Sequence, residues 1–383
     1  MKPMTMRRII CDRYGEPAEA LRVEMQPSTE PRSGELLVRM LARPINPSDL
    51  IPVRGSYAHR TTLPMIPGYE GVGVVVEAGD AANRSLIGRR VLPLRGEGTW
   101  QSLVRVPAAT AVEVPGALSD DQAAQAYINP LTAWATCTDE LALSEGDTLV
   151  INAGGSAIGR CYAQLSRRLG FALIAIVRDA RHVEPLQRLG AAHVIVEGER
   201  SSPAAAAVAS AAELIVGSDA VRESQEQVLA SDSPHESRER MSAHGVRCES
   251  GELAAVVVAL TGGRLATAAI DSVGGAAGAA LAGCVRPGGR LLTIGLLSGS
   301  PVPWPQVSKR TGVHVGLFHL RHWNARVPVA RWRSELERLL GWMAAGLLEV
   351  PTPTGRYALP AIGAAVQAAE RPGAGKIILT EEQ

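Results

Sequence analysis

Two rhythms of apolar and polar positions divide the chain. Up to about residue 130, short apolar runs punctuated by Gly and Pro recur at 34–41, 71–77, 89–94 and 102–106, a spacing that predicts a small twisted β-barrel. From about 131 the pattern changes to buried apolar runs separated by amphipathic stretches: one opens the segment 148–159, and others follow at 172–177, 266–271 and 290–294. Strands alternating with helices predict an α/β fold with a doubly wound parallel sheet. A further amphipathic helix is expected around 331–343 and a last strand at 376–380. If this tail returns to the barrel, residues 1–130 and 316–383 form one domain and 131–315 the other.

The segment 199–249 interrupts the second rhythm with Ala, Ser, Glu and Arg and few large apolar groups. It is too long for an ordinary loop. Helices at 204–216 and 220–230, or partial disorder, both fit its composition, and no chemistry attaches to it.

The strand beginning at Thr148 breaks into Asn-Ala-Gly154-Gly155-Ser156-Ala157-Ile158-Gly159 and then opens a helix over 160–170. Small residues let phosphate oxygens approach backbone N–H groups, and the helix turns its positive end toward the anion. The full G-x-G-x-x-G spacing is not met. The strand at 172–177 completes a βαβ unit, so the turn reads as a dinucleotide's pyrophosphate cradle. A tight strand-to-helix turn in some other α/β protein is the plainer alternative.

Composition narrows the classes. The 39 basic residues are balanced by 38 acidic ones for a net charge of +1, so no basic face for nucleic acid accumulates. No window reaches the ~18 apolar residues of a membrane span, and the N-terminus lacks a signal-peptide core. The five cysteines, Cys11, Cys137, Cys161, Cys248 and Cys284, are widely spaced, without zinc or disulfide pairing patterns. A cytoplasmic protein with a small-molecule substrate and no nucleic-acid or membrane partner is expected. Lys occurs only at Lys2, Lys309 and Lys376.

A β-rich domain, a Rossmann unit and a C-terminal return, with Ile45-Asn-Pro-Ser-Asp-Leu50, Pro67-Gly-Tyr-Glu-Gly-Val-Gly73, Asn129-Pro-Leu-Thr-Ala-Trp134, Asp271-Ser-Val-Gly-Gly275, Arg286-Pro-Gly-Gly-Arg290 and Gly375-Lys376 in order, resemble the medium-chain dehydrogenase/reductase superfamily. The resemblance covers nearly the whole chain apart from the insertion. It implies a Rossmann domain plus a GroES-like β-barrel catalytic domain, and a homodimer. Where the zinc alcohol dehydrogenases of that superfamily carry Cys, His and Cys ligands, this chain has Asn46, Tyr69 and Ile128, none able to replace a thiolate or imidazole there. No metal is expected. His319 and His322 lack a third ligand and read as structural.

Among zinc-free members, Asn46-Pro-Ser-Asp followed by Arg54-Gly-Ser-Tyr57, with Gly98-Thr-Trp100 and Asn129-Pro-Leu-Thr132, resembles the mitochondrial-type trans-2-enoyl-CoA/acyl-carrier-protein reductases. The resemblance implies reduction of an enoyl thioester, with hydride placed on the β-carbon and Tyr57 as proton donor. Asn46 and Trp100 would join Tyr57 in lining the substrate pocket. Two departures bear on the substrate: Ala58 and His59 follow Tyr57 where the family has Gly, and His319 stands where a Trp is usual.

Cofactor choice lies at the end of the second Rossmann strand, Val177-Arg178-Asp179. Arg178 resembles the phosphate-binding Arg of NADPH-dependent enoyl reductases; Asp179 holding the ribose of NAD is the competing reading. The resemblance further implies cofactor contacts from Asn129, Thr132, Ile294, Gly295, Leu296, Phe318, His319, Leu320 and Lys376. An NADPH-dependent enoyl reductase is thus the leading expectation. A quinone or enone oxidoreductase and a non-catalytic nucleotide-binding protein are the alternatives.

Overall fold

The computed structural model describes residues 5–56, 58–198, 245–248, 250–371 and 373–381. They separate into two compact units. The first runs to Thr132 and resumes at Asn324; the second comprises Ala133–Trp323.

In the first unit, β1 (Thr5–Cys11) and β2 (Leu21–Pro27) form an antiparallel hairpin. Then come β3 (Glu35–Pro44), β4 (Val72–Ala78), β5 (Arg90–Pro93), β6 (Leu103–Pro107) and β7 (Ala111–Glu113). The second unit holds β8 (Thr148–Ile151), β9 (Ala172–Val177), β10 (His193–Glu197), β11 (Val246–Cys248), β12 (Ala266–Asp271), β13 (Val285–Thr293) and β14 (His314–Leu317). The chain ends through β15 (Pro353–Ala358) and β16 (Lys376–Thr380), back in the first unit.

The first unit's larger sheet runs β15-β16-β3-β4-β5-β7, with β6 also on β3. The ten-residue β3 serves three partners, β6 along residues 35–39 and β16 along 42–44 on one edge and β4 on the other, and its register on β4 shifts at Leu37/Val38 and Met40/Ala42. Bulges of this kind bend and twist a strand. Leu36, Val38 and Met40 then meet Val75, Val91 and Val104 in one buried cluster.

The second unit's sheet is parallel throughout, in the order β11-β10-β9-β8-β12-β13-β14. Its central strands are apolar because both faces are covered: Leu149, Val150, Ile174, Ala269 and Ile270 are fully buried. Strand order reverses between β8 and β12, and ligands of such sheets bind at the carboxyl ends of strands flanking that reversal. The helix Ala157–Leu169 leaves β8 there, with Ser156 as N-cap and Gly170 closing it at φ 80°.

Two sequence expectations change. The segment 199–249 is not wholly an insertion: β11 pairs in parallel with β10, burying Val246 and Cys248 on either side of exposed Arg247. Residues 199–244 and 249, including the expected helices at 204–216 and 220–230, lie outside the described residues. The C-terminal return also begins later than 316, because β14 hydrogen-bonds to β13 and is the edge of the parallel sheet. Among the described residues no helix is long and apolar enough to cross a membrane.

Candidate active site

In the second unit, β8 delivers Asn152 and Ala153 into the turn, Ala153 at φ 50°. Gly154 donates its N–H to Ile176 O at 2.9 Å, which fixes the turn beside the end of β9. A Cβ on Gly154 would lie 2.9 Å from that of Ala175, and one on Gly159 only 2.1 Å from Gly154 O. These two glycines are required by close strand–helix packing. Gly155 is half-buried beneath the His182 ring, which a Cβ would approach to 2.6 Å. Ser156 Oγ accepts from Gly159 N at 3.2 Å. The remaining N–H groups of the first turn have no partner within the helix, which suits a phosphate.

Across the strand reversal, Asn152 Nδ2 donates to Asp271 Oδ1 at 2.6 Å, and Asn152 Oδ1 accepts from Ser272 N at 2.7 Å. Asp271 Oδ1 also accepts from Val273 N and Gly274 N. This buried pair ties the tips of β8 and β12. Asp271 O in turn holds Ile294 N at 2.8 Å, and Thr293 O holds Phe318 N at 3.0 Å. The expected contact residues Ile294, Gly295 and Leu296 thus leave β13 beside Phe318, His319 and Leu320, which follow β14. Leu296 and Leu317 are exposed, the latter by 73%. Phe318 is instead a buried side chain. His319 Nδ1 accepts from Arg321 N, and its ring stands 5.3 Å from that of His322.

Arg178 and Asp179 follow β9 and are both exposed. Asp179 is engaged locally: Oδ1 accepts from Arg181 N at 2.9 Å and Oδ2 pairs with Arg181 Nε at 3.2 Å.

The first unit contains a buried polar cluster. Asn46 caps the helix Pro47–Val53, while Asp49 Oδ2 reaches back to Asn46 N at 2.8 Å. This is the reciprocal arrangement that an Asn followed three positions later by an acid makes possible. Asp49 Oδ1 accepts from Tyr69 N at 3.1 Å. Asn46 Nδ2 donates to Glu70 Oε1 at 2.8 Å, and Lys376 Nζ donates to Asn46 Oδ1 at 2.6 Å. Glu70 Oε2 accepts from Tyr127 N and Ile128 N, at the start of the helix Ile128–Ala135 that carries Asn129 and Thr132. Asn46, Asp49, Glu70 and Lys376 are all buried.

Burial raises the pKa of Glu70, against Lys376 and the hydrogen bonds. Burial also pushes Asp49 up to about 7; its hydrogen bond from Asn46 N opposes this, Glu70 adds to it, and Lys376 and the bond from Tyr69 N oppose it. An acid with a higher pKa folded than unfolded keeps its proton in the native state between the two values. Its penalty on folding is absent below the unfolded pKa near 3.9 and complete above about pH 7. Asp49→Asn is therefore expected to gain roughly 4 kcal/mol relative to wild type as pH rises from 4 to 8. Urea unfolding of both proteins across that range measures it; a pH-independent difference would contradict it.

Trp100 is a core side chain rather than a pocket wall. It is fully buried among Ile9, Cys11, Ile45 and Leu50. Tyr57 lies outside the described residues. The capping pattern at Asn46 and the quoted motifs contained Asp49, Glu70 and Asp271, yet nothing local marked them as site residues.

The chain matches the family model for the alcohol dehydrogenase GroES-like domain over residues 32–116 and that for a zinc-binding dehydrogenase over 249–379. A metal implied by the latter description does not fit the donor set: Asn46 is bonded on both sides, and Tyr69 and Ile128 offer a phenol and an alkyl chain. Among the described residues no group of three or more His, Cys, Asp or Glu is placed to hold a metal. The mitochondrial enoyl-[acyl-carrier-protein] reductase of Xenopus tropicalis is 37% identical over 205 residues, 52% of this chain and 59% of that protein. The human one is 32% identical over 207 residues, 53% and 56% respectively. The matches thus span under two thirds of those relatives. A Bacillus thuringiensis structure assigned as an NADPH:quinone reductase is 41% identical, covering 99% of this chain and 100% of that one with a TM-score of 0.81. A mycobacterial protein solved with NADPH is 25% identical over 98% of this chain and 99% of that one, with a TM-score of 0.75.

Proposed function

Because the chain belongs to the medium-chain dehydrogenase/reductase superfamily, we propose that it is an NADPH-dependent reductase of activated C=C bonds, with trans-2-enoyl thioesters as substrates. The observation that carries the cofactor choice is the pairing of Asp179 with Arg181, which occupies the acid a ribose would need while Arg178 stands exposed beside it. A guanidinium there suits the extra phosphate of NADPH. The thioester reading draws on the enoyl reductases that match the chain.

Bound NADPH supplies hydride to the substrate β-carbon. The chain's own residues do the rest. The turn 154–159 and the helix behind it hold the pyrophosphate, Arg178 the 2′-phosphate, and the exposed side chain of Leu296 offers an apolar contact at the sheet's carboxyl edge. Tyr57 delivers the proton to the α-carbon as negative charge builds there. The buried Lys376–Asn46–Glu70 chain fixes the start of helix Pro47–Val53 and the start of helix Ile128–Ala135. By this reading Asn129, Thr132 and Lys376 contact the cofactor.

The similarity to the Bacillus structure over the full chain favours a second reading, reduction of quinones or free enones. NADPH loss followed at neutral pH separates the two. Crotonyl-CoA or a longer enoyl-CoA is expected to turn over faster than 1,4-benzoquinone. Turnover of the quinone with no enoyl thioester consumed at any chain length would overturn the thioester assignment.

A further inference from the structure

We propose that His182 is a further specificity-determining residue for a phosphorylated dinucleotide, its ring taking up a proton to pair with the 2′-phosphate. The inference rests on the NADPH reading above and adds to Arg178 a second, titratable group. His182 ends the turn Ala180–His182, which Asp179 caps. Its ring covers Gly155: a Cβ there would meet Cγ and Cδ2 at 2.6 Å and Nε2 at 2.8 Å. Gly154 N is bonded to Ile176 O, two residues before Arg178. The cradle's second glycine, the His182 ring and the end of β9 are therefore contiguous, and only glycine at 155 permits that approach.

The charged groups whose fields reach this ring among the described residues are Arg181 and Asp179 from its own turn and Arg160 from the helix Ala157–Leu169. Partial burial depresses the His182 pKa first, and Arg181 and Arg160 depress it further, while Asp179 opposes them. The ring is thus neutral at pH 7 without ligand. Two cations and one anion thus act on the ring. A phosphate dianion placed beside them reverses that balance, so binding draws a proton onto the ring. No hydrogen bond to the ring occurs among the described residues, leaving its nitrogens available.

The test is a calorimetric titration of wild type and His182→Gln with NADPH and with NADH from pH 6 to 8.5, in buffers of different ionisation enthalpy. Gln keeps a planar polar group but cannot titrate. The variant should bind NADPH about tenfold more weakly at pH 6, with the gap closing toward pH 8.5, the scale of one charge-assisted hydrogen bond. Wild type should take up protons near pH 7 when NADPH binds and the variant should not, while NADH affinity stays the same in both. The free cofactor's phosphate titration is common to both proteins, so the difference between them reports the pairing with the ring. Parallel pH curves with equal proton uptake would overturn the role of His182, as would an equal loss of NADH and NADPH affinity, which marks mere packing on Gly155. Wild type that binds NADPH no tighter than NADH at any pH would overturn the cofactor reading as well.

Discussion

Glu70→Ala is expected to lower the unfolding free energy by about 3–5 kcal/mol, the scale for removing one partner of a buried charge pair. The side chain accepts from Asn46 Nδ2 at 2.8 Å, Tyr127 N at 3.2 Å and Ile128 N at 2.8 Å, in a site closed to water. Alanine leaves all three donors unmet, and buried donors without acceptors carry their full desolvation cost. It also leaves Lys376 with Asp49 as the remaining carboxylate acting on it within the cluster. Lys376→Met makes the opposite error. The double variant Glu70→Ala/Lys376→Met should therefore cost less than the two single changes added together, with a coupling of about 1–3 kcal/mol. Urea unfolding followed by tryptophan emission gives the free energies, and amide exchange in the helix Pro47–Val53 gives the local effect. A single-variant loss below about 1 kcal/mol would show that the cluster does not hold the first unit together.

That cluster marks the limit of what the amino-acid sequence discloses. The runs at 172–177, 266–271 and 376–380 coincide with β9, β12 and β16, because strands buried on both faces leave an apolar signal bounded by Gly or polar residues. The strands β2 and β15 leave no such signal: both lie at sheet edges without a run of buried residues, and β15 opens with Pro, Thr, Gly and Arg. The three-residue β11 is too short to show any period. The glycine turn after β8 was legible because strand, glycines and helix follow one another directly. Asn46 meets Glu70 and Lys376 across 24 and 330 positions, and only the curvature of β3 and the return of β16 beside it bring them together. A residue such as His182 is harder still to find, since its relation to Gly155 depends on how tightly the turn after β9 folds over the cradle.

Tyr57→Phe is expected to reduce kcat for crotonyl-CoA by about 10²- to 10⁴-fold, the range that a positioned general acid contributes. An ordinary phenol, with its pKa near 10, is protonated at neutral pH and so carries the proton that the α-carbon must receive. Phenylalanine preserves the ring and deletes only the O–H. If that proton is delivered in the transition state, kcat and kcat/KM fall together and crotonyl-CoA binding changes little. NADPH affinity should match wild type, because Tyr57 is not among the residues proposed to contact the cofactor. A quinone responds differently. Its two oxygens carry the added charge as a phenolate and exchange protons with water, so its reduction needs no acid from the protein. Benzoquinone turnover by Tyr57→Phe should therefore stay within about threefold of wild type, a difference under 1 kcal/mol in barrier. Wild-type kcat with crotonyl-CoA would remove Tyr57 from the reaction, whereas a parallel collapse on both acceptors would indicate a fault in assembling the site rather than the loss of a proton donor.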